Sequence, residues 1–388
     1  MKNILYYNTT FDAELSGKVS DRVRRIAAEM SVYALLAARE DDLVSLDAIP
    51  EEQFFLYLKQ NGFPVRVADS VPPGLYGEPW GWSSSALARF DSLSCLSDHP
   101  PLEAVKKVNS RKFGIDVAKR LGGIPSGEIA DNRNEAISVI KRSAFPLLVK
   151  PIHGNSGVGH FIVEHDEIPM KKIDRIFSES SSGISIEPLL DRIDDYAANF
   201  FLEKDSTVTG LTYHQCIIDK RGLFRGIRLS EELIDSHVIG KLSESVRVVS
   251  AALHEEGYFG HVGIDTFTYL RDGHIEIQPL CEINARRTMG EVARGCKQTL
   301  GGTYGILRQF SRLNLPDTYR SVQDLLSPFE YDSRQKKGIF IASPLSLTYE
   351  NHIIRPAVTL VYIAAHSAVE CTEMEDHIAR VFLRKESH

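Results

Sequence analysis

Glu282-Ile283-Asn284-Ala285-Arg286, which follows the earlier Gly263-Ile264-Asp265, is the stretch of this 388-residue chain that says most about its fold. Glu282 and Asn284 are two residues apart on a predicted β-strand, so their side chains share one face. Asp265 falls on the predicted antiparallel partner strand, because the intervening Asp272-Gly273 is a hairpin signal. Carboxylate and amide oxygens on neighbouring strands suit Mg2+, which also reaches substrate phosphates. The stretch predicts a metal–nucleotide site, provided that a phosphate-binding segment exists elsewhere.

A glycine-rich turn supplies such a segment. Gly154, Gly157 and Gly159 allow the backbone to approach a polyphosphate and to point N–H groups at it. Lys150 ends the apolar strand just before the turn and adds a point charge. The turn lacks a G-K-[ST] ending and leads into a strand, so it is neither a Walker A motif nor a Rossmann fingerprint. On the preceding predicted helix, Arg111-Lys112 offers a second cation.

Further acids and an arginine lie near these motifs. Glu187 and Asp195 follow the next predicted strand, where a carboxylate can accept hydrogen bonds from ribose hydroxyls or an exocyclic amine. Asp191, Asp194 and Asp195 cluster, and which of them faces inward stays open. Arg286 is suited to hold a transferring phosphoryl group or a substrate carboxylate.

Composition restricts the class of protein. The chain is 43% hydrophobic and 25% charged, which is typical of a soluble globular protein, and its length allows two or three domains. The net charge of −7 gives no electrostatic reason to expect a nucleic-acid or membrane partner. Five scattered cysteines without a C-x-x-C pair indicate a reduced, cytoplasmic setting. The longest apolar run near the C-terminus, 357–365, is far shorter than a membrane span.

The first hundred residues alternate between strand and helix patterns. Strands are predicted near 4–7, 43–46 and 65–67, with helices over 19–38 and 50–60 between them. This βαβ alternation predicts a parallel sheet with crossover helices. The stretch 71–101 is predicted to be irregular and contains Trp80 and Trp82. It is either a loop anchored by aromatic packing or a lip of a ligand cleft.

These motifs in this order resemble the ATP-grasp superfamily of carboxylate–amine ligases. The resemblance covers roughly 105–300, and the βαβ segment before it is similar to the pre-ATP-grasp domain. It implies a mixed α/β and α+β architecture: an N-terminal parallel α/β domain, and ATP clamped between two α+β subdomains. The implied units are a pre-ATP-grasp domain (1–104), a small lid subdomain (105–185), a large subdomain with the metal site (186–310) and a C-terminal extension packed on it (311–388).

The resemblance also implies a role for individual residues. ATP phosphates and the flexible loop would involve Lys112, Lys150, Gly154, Ser156, Gly157 and Gly159. Glu187 and Leu189 would flank the adenine, and Asp195 would contact the ribose. Asp265, Glu282 and Asn284 would hold Mg2+, with Mn2+ as the alternative ion, and the catalytic residues would be Lys150 and Arg286.

The function implied by the resemblance is an ATP- and Mg2+-dependent ligase. It would form an amide or peptide bond between an amino acid or another small carboxylate and an amine, through an acylphosphate. Two alternatives stay open: a small-molecule kinase with the same fold, and a non-catalytic nucleotide-binding regulatory protein. The expected partners are small-molecule substrates, and the resemblance leaves a homodimer open.

Overall fold

Several separate sheets form the framework of the molecule. The structure is a computed structural model that describes residues 3–17, 19–68, 71–122, 127–153, 159–165, 168–179, 183–219, 222–230, 232, 234–311, 313 and 315–382. Within these ranges the strands form one eight-stranded, one four-stranded and two three-stranded sheets. None of the described helices is both long enough and apolar enough to cross a bilayer.

A parallel α/β unit occupies the N-terminal region. It contains β1 (Asn3–Tyr6), α1 (Phe11–Leu15), α2 (Asp21–Ser31), α3 (Ala34–Ala37), β2 (Leu43–Ser45), β3 (Ile49–Pro50), α4 (Glu52–Gln60), β4 (Tyr76–Pro79) and α5 (Ser84–Ser92). Strand β1 pairs in parallel with both β2 and β4, which gives the order β2-β1-β4. The parallel sheet predicted from the βαβ alternation is therefore confirmed.

Three details of the N-terminal prediction are wrong. The helix predicted over 19–38 is two helices, because the chain turns at Val32 and Tyr33 and buries both in the core. The strand predicted over 65–67 is reduced to one bridge between Val67 and Val44. The stretch 71–101 is not irregular throughout, since it contains β4 and α5. Its serines look like loop residues, but the Ser83 hydroxyl accepts a hydrogen bond from the Ala86 N–H and starts α5.

A four-stranded antiparallel sheet follows. This part of the chain contains α6 (Leu102–Val108), α7 (Arg111–Leu121), β5 (Glu128–Ala130), α8 (Arg133–Arg142), β6 (Leu147–Pro151), β7 (Phe161–Val163), α9 (Met170–Glu179) and β8 (Ile184–Pro188). Its strand order is β5-β8-β6-β7. Residues such as Val149, Ile173 and Ile184 form a hydrophobic core of its own, separate from the main core. We call this sheet with its helices α8 and α9 the small unit.

The eight-stranded antiparallel sheet is the largest element. The remaining strands are β9 (Asp191–Leu202), β10 (Val208–Ile218), β11 (Phe224–Leu229), β12 (Gly260–Arg271), β13 (His274–Asn284), β14 (Tyr304–Ser311), β15 (Gly338–Ile341), β16 (Leu347–Tyr349), β17 (His352–Ile354) and β18 (Val358–Ala365). The remaining helices are α10 (Ser236–Glu255), α11 (Met289–Leu300), α12 (Tyr319–Leu326) and α13 (Ala368–Phe382). The order of the large sheet is β13-β12-β9-β10-β11-β14-β18-β15. Residues 311–388, predicted as an extension, thus supply β15 and β18 to this sheet.

The β12–β13 hairpin brings the opening motifs together. Asp272 and Gly273 both have positive φ angles, 50° and 79°, as a tight hairpin turn of the predicted kind requires. In the register that follows, Asp265 lies directly opposite Glu282, and Gly263 lies opposite Asn284. The hairpin predicted from the Asp-Gly turn is present, and its acids share one face.

The main hydrophobic core joins the N-terminal region to the large sheet. Leu5 of β1, Leu35 of α3, Ile264 of β12 and Val292 of α11 belong to the same cluster of buried residues. Strand β3 also pairs with β16, whose hairpin partner is β17. The N-terminal region and the large sheet therefore form one packed body, and the small unit stands across a cleft from it.

A buried ionic network reinforces that body. Arg287 donates hydrogen bonds to Glu78 of β4 (2.7 Å) and to Glu291 of α11, and His261 contacts Glu291 at 2.7 Å. Burial by itself would raise the pKa of Glu78, but the hydrogen bonds and charges of His261 and Arg287 outweigh it and lower the pKa to about 2. The network contributes stability while Glu78 is ionised.

We expect Glu78→Gln to destabilise the protein in a pH-dependent way. An ordinary glutamate titrates near 4.5, so the contribution is present above that pH and is lost as the pH falls towards 2. At pH 7 the free energy of unfolding should fall by about 3 kcal/mol. Denaturant unfolding at several pH values measures this, with the exposed Glu52→Gln as the control. Equal effects of the two substitutions would contradict the assignment.

Candidate active site

A cleft lies between the small unit and the large sheet. It is narrow, with a cavity volume of about 50 Å³. Apolar side chains line it on both sides: Ile115, Ala118, Leu148, Leu189, Phe267 and Leu280. Polar residues line it as well, among them Arg111, Glu187, Arg192 and Glu282. Apolar walls combined with several polar groups are the kind of lining that binds a small organic ligand such as a planar base.

Lys150 and Glu187 meet on the small unit beside this cleft. Lys150 is 6% exposed, and its Nζ donates to Glu187 Oε2 at 2.5 Å. The second Glu187 oxygen accepts a hydrogen bond from the Ser185 hydroxyl at 2.8 Å. A buried charged pair of this kind is stable only with good geometry and further hydrogen bonds, and both are present. The structure therefore brings together two residues that were predicted to act at opposite ends of a nucleotide.

A cluster of positive charge lies next to this pair. Arg111, at the start of α7, donates to the Pro151 carbonyl at 2.5 Å and to Glu282 Oε1 at 3.2 Å. Its Nη2 lies 3.4 Å from His160 Nε2, which must be the acceptor because a guanidinium can only donate. Burial and the charges of Arg111, Lys150 and Arg192 lower the pKa of His160 to about 3. The imidazole is therefore neutral at physiological pH, and the positive charge around it favours an anion.

The paired carboxylates lie next to this positive cluster, since Glu282 accepts the hydrogen bond from Arg111. Asp265 and Glu282 face each other across β12 and β13, and Asn284 donates its Nδ2 to Asp265 Oδ2 at 2.9 Å, which leaves its Oδ1 available. Burial and the charge of Glu282, opposed by Arg286, raise the pKa of Asp265 to about 7. Like charges directly across two strands destabilise each other, and a cation between them would relieve this repulsion.

The donor set fits Mg2+ better than a transition metal. In the described ranges no group of at least three His, Cys, Asp or Glu side chains is arranged to hold a metal. Two carboxylates and an amide oxygen are instead hard ligands, which Mg2+ typically combines with water and substrate phosphates. The residues present therefore fit a magnesium ion that reaches its full coordination only together with a phosphate ligand.

Arg286 is held by the N-terminal region. Its Nε donates to Asp12 Oδ1 of α1 at 3.0 Å, and its Nη1 donates to the Arg287 carbonyl at 3.0 Å. The guanidinium also lies 5.8 Å from the ring centroid of Trp80, which is buried. Arg286 thus lies where the N-terminal region meets the end of β13, next to the ring of Trp80.

Comparisons with known proteins agree with this geometry. No family model and no curated protein matches the chain. Solved structures do match: biotin carboxylase from Campylobacter jejuni in its β,γ-ATP complex has a TM-score of 0.57 and 13% identity, covering 92% of this chain and 89% of that one. N5-carboxyaminoimidazole ribonucleotide synthetase from Thermus thermophilus has a TM-score of 0.57 and 12% identity, covering 100% of both chains. The chain has the ATP-grasp fold.

A further neighbour matches over nearly its whole length. Carboxyaminoimidazole ribonucleotide synthase from Aspergillus clavatus, solved with ATP, has a TM-score of 0.56 and 14% identity, and 98% of each chain is covered. At such low identity the likeness shows the fold alone. The resemblance to ATP-grasp proteins and the predicted combination of a parallel N-terminal sheet with antiparallel sheets are thereby confirmed.

The ATP-grasp cleft also contains residues that sequence reasoning did not select. Arg192 donates to Asp195 Oδ1 at 2.8 Å and lies 3.9 Å from the Phe267 ring centroid. Its Nη2 also contacts Cys281 Sγ at 3.4 Å. Cys281 lines the cleft next to Glu282, at the place where the register of β12 and β13 is irregular. Arg192 lies in the acid-rich run 191–195, whose composition is typical of a surface loop. No signal in the sequence would therefore have selected Arg192.

The structure gives only part of the picture for several residues that were predicted to contact the nucleotide. Asp195 lies on β9, near enough to Asp265 for its charge to act on that residue. Leu189 lines the cleft, but its N–H already donates to the Pro146 carbonyl at 2.9 Å. Gly154, Ser156 and Gly157 lie outside the described residues. Gly159 is described and has a φ of 80°, and an added Cβ would lie 3.2 Å from the Pro151 ring.

Lys112 and Arg111 differ in the exposure of their side chains. Lys112, predicted as the phosphate contact, is exposed, whereas the Arg111 side chain is 10% exposed and points into the positive cluster. This difference favours Arg111 as the phosphate-binding cation of α7. We expect Arg111→Leu to weaken ATP binding roughly tenfold or more, and Lys112→Leu to change it less than about twofold. Isothermal titration with Mg2+ and ATP measures both, and a larger effect of Lys112→Leu would favour the sequence prediction.

Proposed function

We propose that this protein is an ATP- and Mg2+-dependent ligase that joins an amino acid or another small carboxylic acid to an amine. The observation that carries the proposal is the adjacency of paired carboxylates and buried cations: Asp265 lies opposite Glu282 on β12 and β13, Arg111 donates to Glu282, and Lys150 pairs with Glu187 of the cleft lining. Such an arrangement suits a metal-bound polyphosphate. ATP is named with two of the similar structures, and another was solved with MgADP.

ATP would lie with its base in the apolar part of the cleft. Leu148 and Leu189 on one side and Phe267 and Leu280 on the other leave room for a flat ring. Asp195 would accept hydrogen bonds from the ribose, and the positive cluster would face the phosphates. Lys150 would exchange part of its interaction with Glu187 for a phosphate oxygen, so that its charge remains compensated.

Asp265, Glu282 and Asn284 would hold Mg2+, with Mn2+ as the alternative ion. When bound, the metal neutralises phosphate charge and favours attack at the γ-phosphorus. Arg111 now donates to Glu282, so in the proposed complex this guanidinium would move from the carboxylate towards the phosphates. In this proposal, Lys150 and Arg111 pair with carboxylates before ATP binds and with phosphates in the ATP complex.

The reaction would proceed in two displacements. A carboxylate oxygen of the first substrate attacks the γ-phosphorus, the bond to the β,γ-bridging oxygen breaks, and ADP leaves with that electron pair. The amine nitrogen then attacks the acyl carbon of the acylphosphate, phosphate leaves, and the nitrogen loses a proton. Arg286 would orient the carboxylate and stabilise negative charge on the transferring group. The protein supplies position and charge, and no side chain forms a covalent bond.

Incubation of the full chain with ATP, Mg2+ and pairs of carboxylates and amines tests the proposal. We expect ADP, phosphate and an amide in equal amounts, detected by coupled assay and mass spectrometry. A stable phosphorylated product formed without any amine would indicate the kinase alternative instead. ATP binding without turnover across a broad panel would indicate a regulatory nucleotide-binding protein.

Two further expectations remain proposals. A homodimer is one of them; a biotin carboxylase domain from Hydrogenobacter thermophilus, among the similar structures, was solved as a dimer. The cytoplasmic setting predicted from cysteine usage is the other. The five cysteines are free, as that prediction requires.

A further inference from the structure

Arg286 and Asp12 meet at the place in the N-terminal sheet where a ligand is expected. In the order β2-β1-β4, strand β1 is central, with β2 on one side and β4 on the other. The chain therefore crosses from one side of β1 to the other, which makes the end of β1 a topological switch point. In parallel sheets a crevice opens at such a point, outside the carboxyl ends of the strands. The loops after β1 and β4 border it and are tied together, because Asn8 Nδ2 donates to the Gly81 carbonyl at 2.9 Å.

The two carboxylate oxygens of Asp12 differ in their hydrogen bonding. Oδ1 accepts the hydrogen bond from Arg286, whereas Oδ2 is buried and has no hydrogen-bond partner among the described residues. The side chain of Asp12 is 13% exposed and that of Arg286 is 11% exposed. Leaving a buried carboxylate oxygen without a donor is costly, so a ligand that supplies a donor would be favoured.

The neighbouring acid of the same helix behaves differently. Glu14 accepts hydrogen bonds from the Thr10 hydroxyl at 2.5 Å and from the Ser85 hydroxyl at 2.8 Å. Its position is accounted for by contacts within the N-terminal region. The unsatisfied oxygen is therefore a property of Asp12 and not of the whole helix.

Arg286 supplies the complementary group. Its Nε and Nη1 are engaged by Asp12 and by the Arg287 carbonyl, so Nη2 is the nitrogen without a hydrogen bond to the described residues. Arg286 also comes two residues after Asn284, so a carboxylate on its guanidinium would lie beside the proposed metal and phosphates. A free acceptor and a free donor next to each other match a ligand that carries both an ammonium and a carboxylate.

We propose that the carboxylate substrate is a free amino acid whose ammonium group binds Asp12 and whose carboxylate binds Arg286. This inference rests on the proposed ligase function and narrows its substrate class. A zwitterion adds no net charge to the buried Arg286–Asp12 pair and satisfies both of its open positions. A simple carboxylic acid would add a negative charge and leave Asp12 Oδ2 unpaired, so the pair selects against it.

Equilibrium binding tests this without requiring turnover. The full chain, with Mg2+ and the β,γ-imido analogue of ATP, is titrated with each proteinogenic amino acid. The amino acid that binds most tightly is then compared with its desamino acid and its Nα-acetyl derivative. We expect both derivatives to bind at least roughly tenfold more weakly, because each loses the ammonium. Equal binding of the derivatives, or no binding of any free amino acid, would overturn the inference.

Substitutions locate the effect at Asp12. Asp12→Asn keeps the shape but loses the charge, and it should weaken amino-acid binding roughly tenfold while the affinity for the ATP analogue stays the same. Glu14→Gln is the matched control and should change neither. If Asp12→Asn does not fold, as judged by circular dichroism, the wild-type comparison of derivatives decides. Asp12-dependent binding without ADP formation with any amine would reject the ligase function while the amino-acid site stands.

Discussion

Glu282→Gln is expected to reduce turnover by roughly 100- to 1,000-fold and to leave the fold intact. Glu282 carries one of the two carboxylates that face each other in the cleft, and the amide that replaces it has no charge to offer a magnesium ion. Its side chain is 41% exposed, so its loss should change the free energy of unfolding by less than about 1 kcal/mol. Rates of ADP release at increasing Mg2+ concentration, together with circular dichroism, measure both effects.

Glu276→Gln is the matched control for this substitution. Glu276 is on the same strand, but it lies beyond the metal-ligand positions and accepts a hydrogen bond from the Tyr269 hydroxyl. We expect it to keep full activity and an unchanged Mg2+ dependence. If Glu282→Gln also keeps both, then Glu282 is not a metal ligand and the opposed carboxylates have only a structural role.

The local parts of the site could be predicted from sequence because they depend on short-range rules. Asp272-Gly273 sets a hairpin turn, and two-residue periodicity then puts Glu282 and Asn284 on one face. Lys150 stood out because it ends an apolar strand directly before the glycine-rich turn, whereas its contact with Glu187 was not predicted. The hairpin residues are therefore fixed by backbone geometry that a few neighbours determine, whereas the Lys150–Glu187 contact joins two strands 37 residues apart.

The remaining features depend on how distant elements pack. Arg111 and Lys112 are adjacent on a helix, so about 100° of rotation separates them, and only the docking of α7 against β13 decides which one enters the cleft. The partner of Arg286 is Asp12, 274 residues away, and no periodicity connects the two. The segment 71–101 was expected to be irregular, yet Phe90 packs in one buried cluster with Ile4, and this tertiary packing stabilises a helix there.

Lys150→Met is expected to have the second large effect, a loss of roughly 100-fold in kcat/KM for ATP. Lys150 is 6% exposed and pairs with Glu187 of the cleft lining, and in the proposed complex a charge-assisted bond from it to a phosphate oxygen would contribute about 2–3 kcal/mol. Methionine keeps the apolar stem but has no charge, so the effect should appear in ATP binding and turnover. Steady-state kinetics with varied ATP measure it, and Lys141→Met, an exposed lysine on α8, is the control.

A stability effect must be separated from this loss, because Lys150→Met also leaves Glu187 without its cation. Breaking one side of a largely buried pair costs about 3 kcal/mol, whereas replacing both partners by apolar residues is often nearly neutral. The double variant Lys150→Met/Glu187→Leu should therefore regain most of the stability that Lys150→Met loses and still turn over ATP roughly 100-fold more slowly. If the double variant regains activity together with stability, Lys150 acts on the fold and not on the phosphates. If the double variant is stable but still inactive, the charge of Lys150 acts on bound ATP.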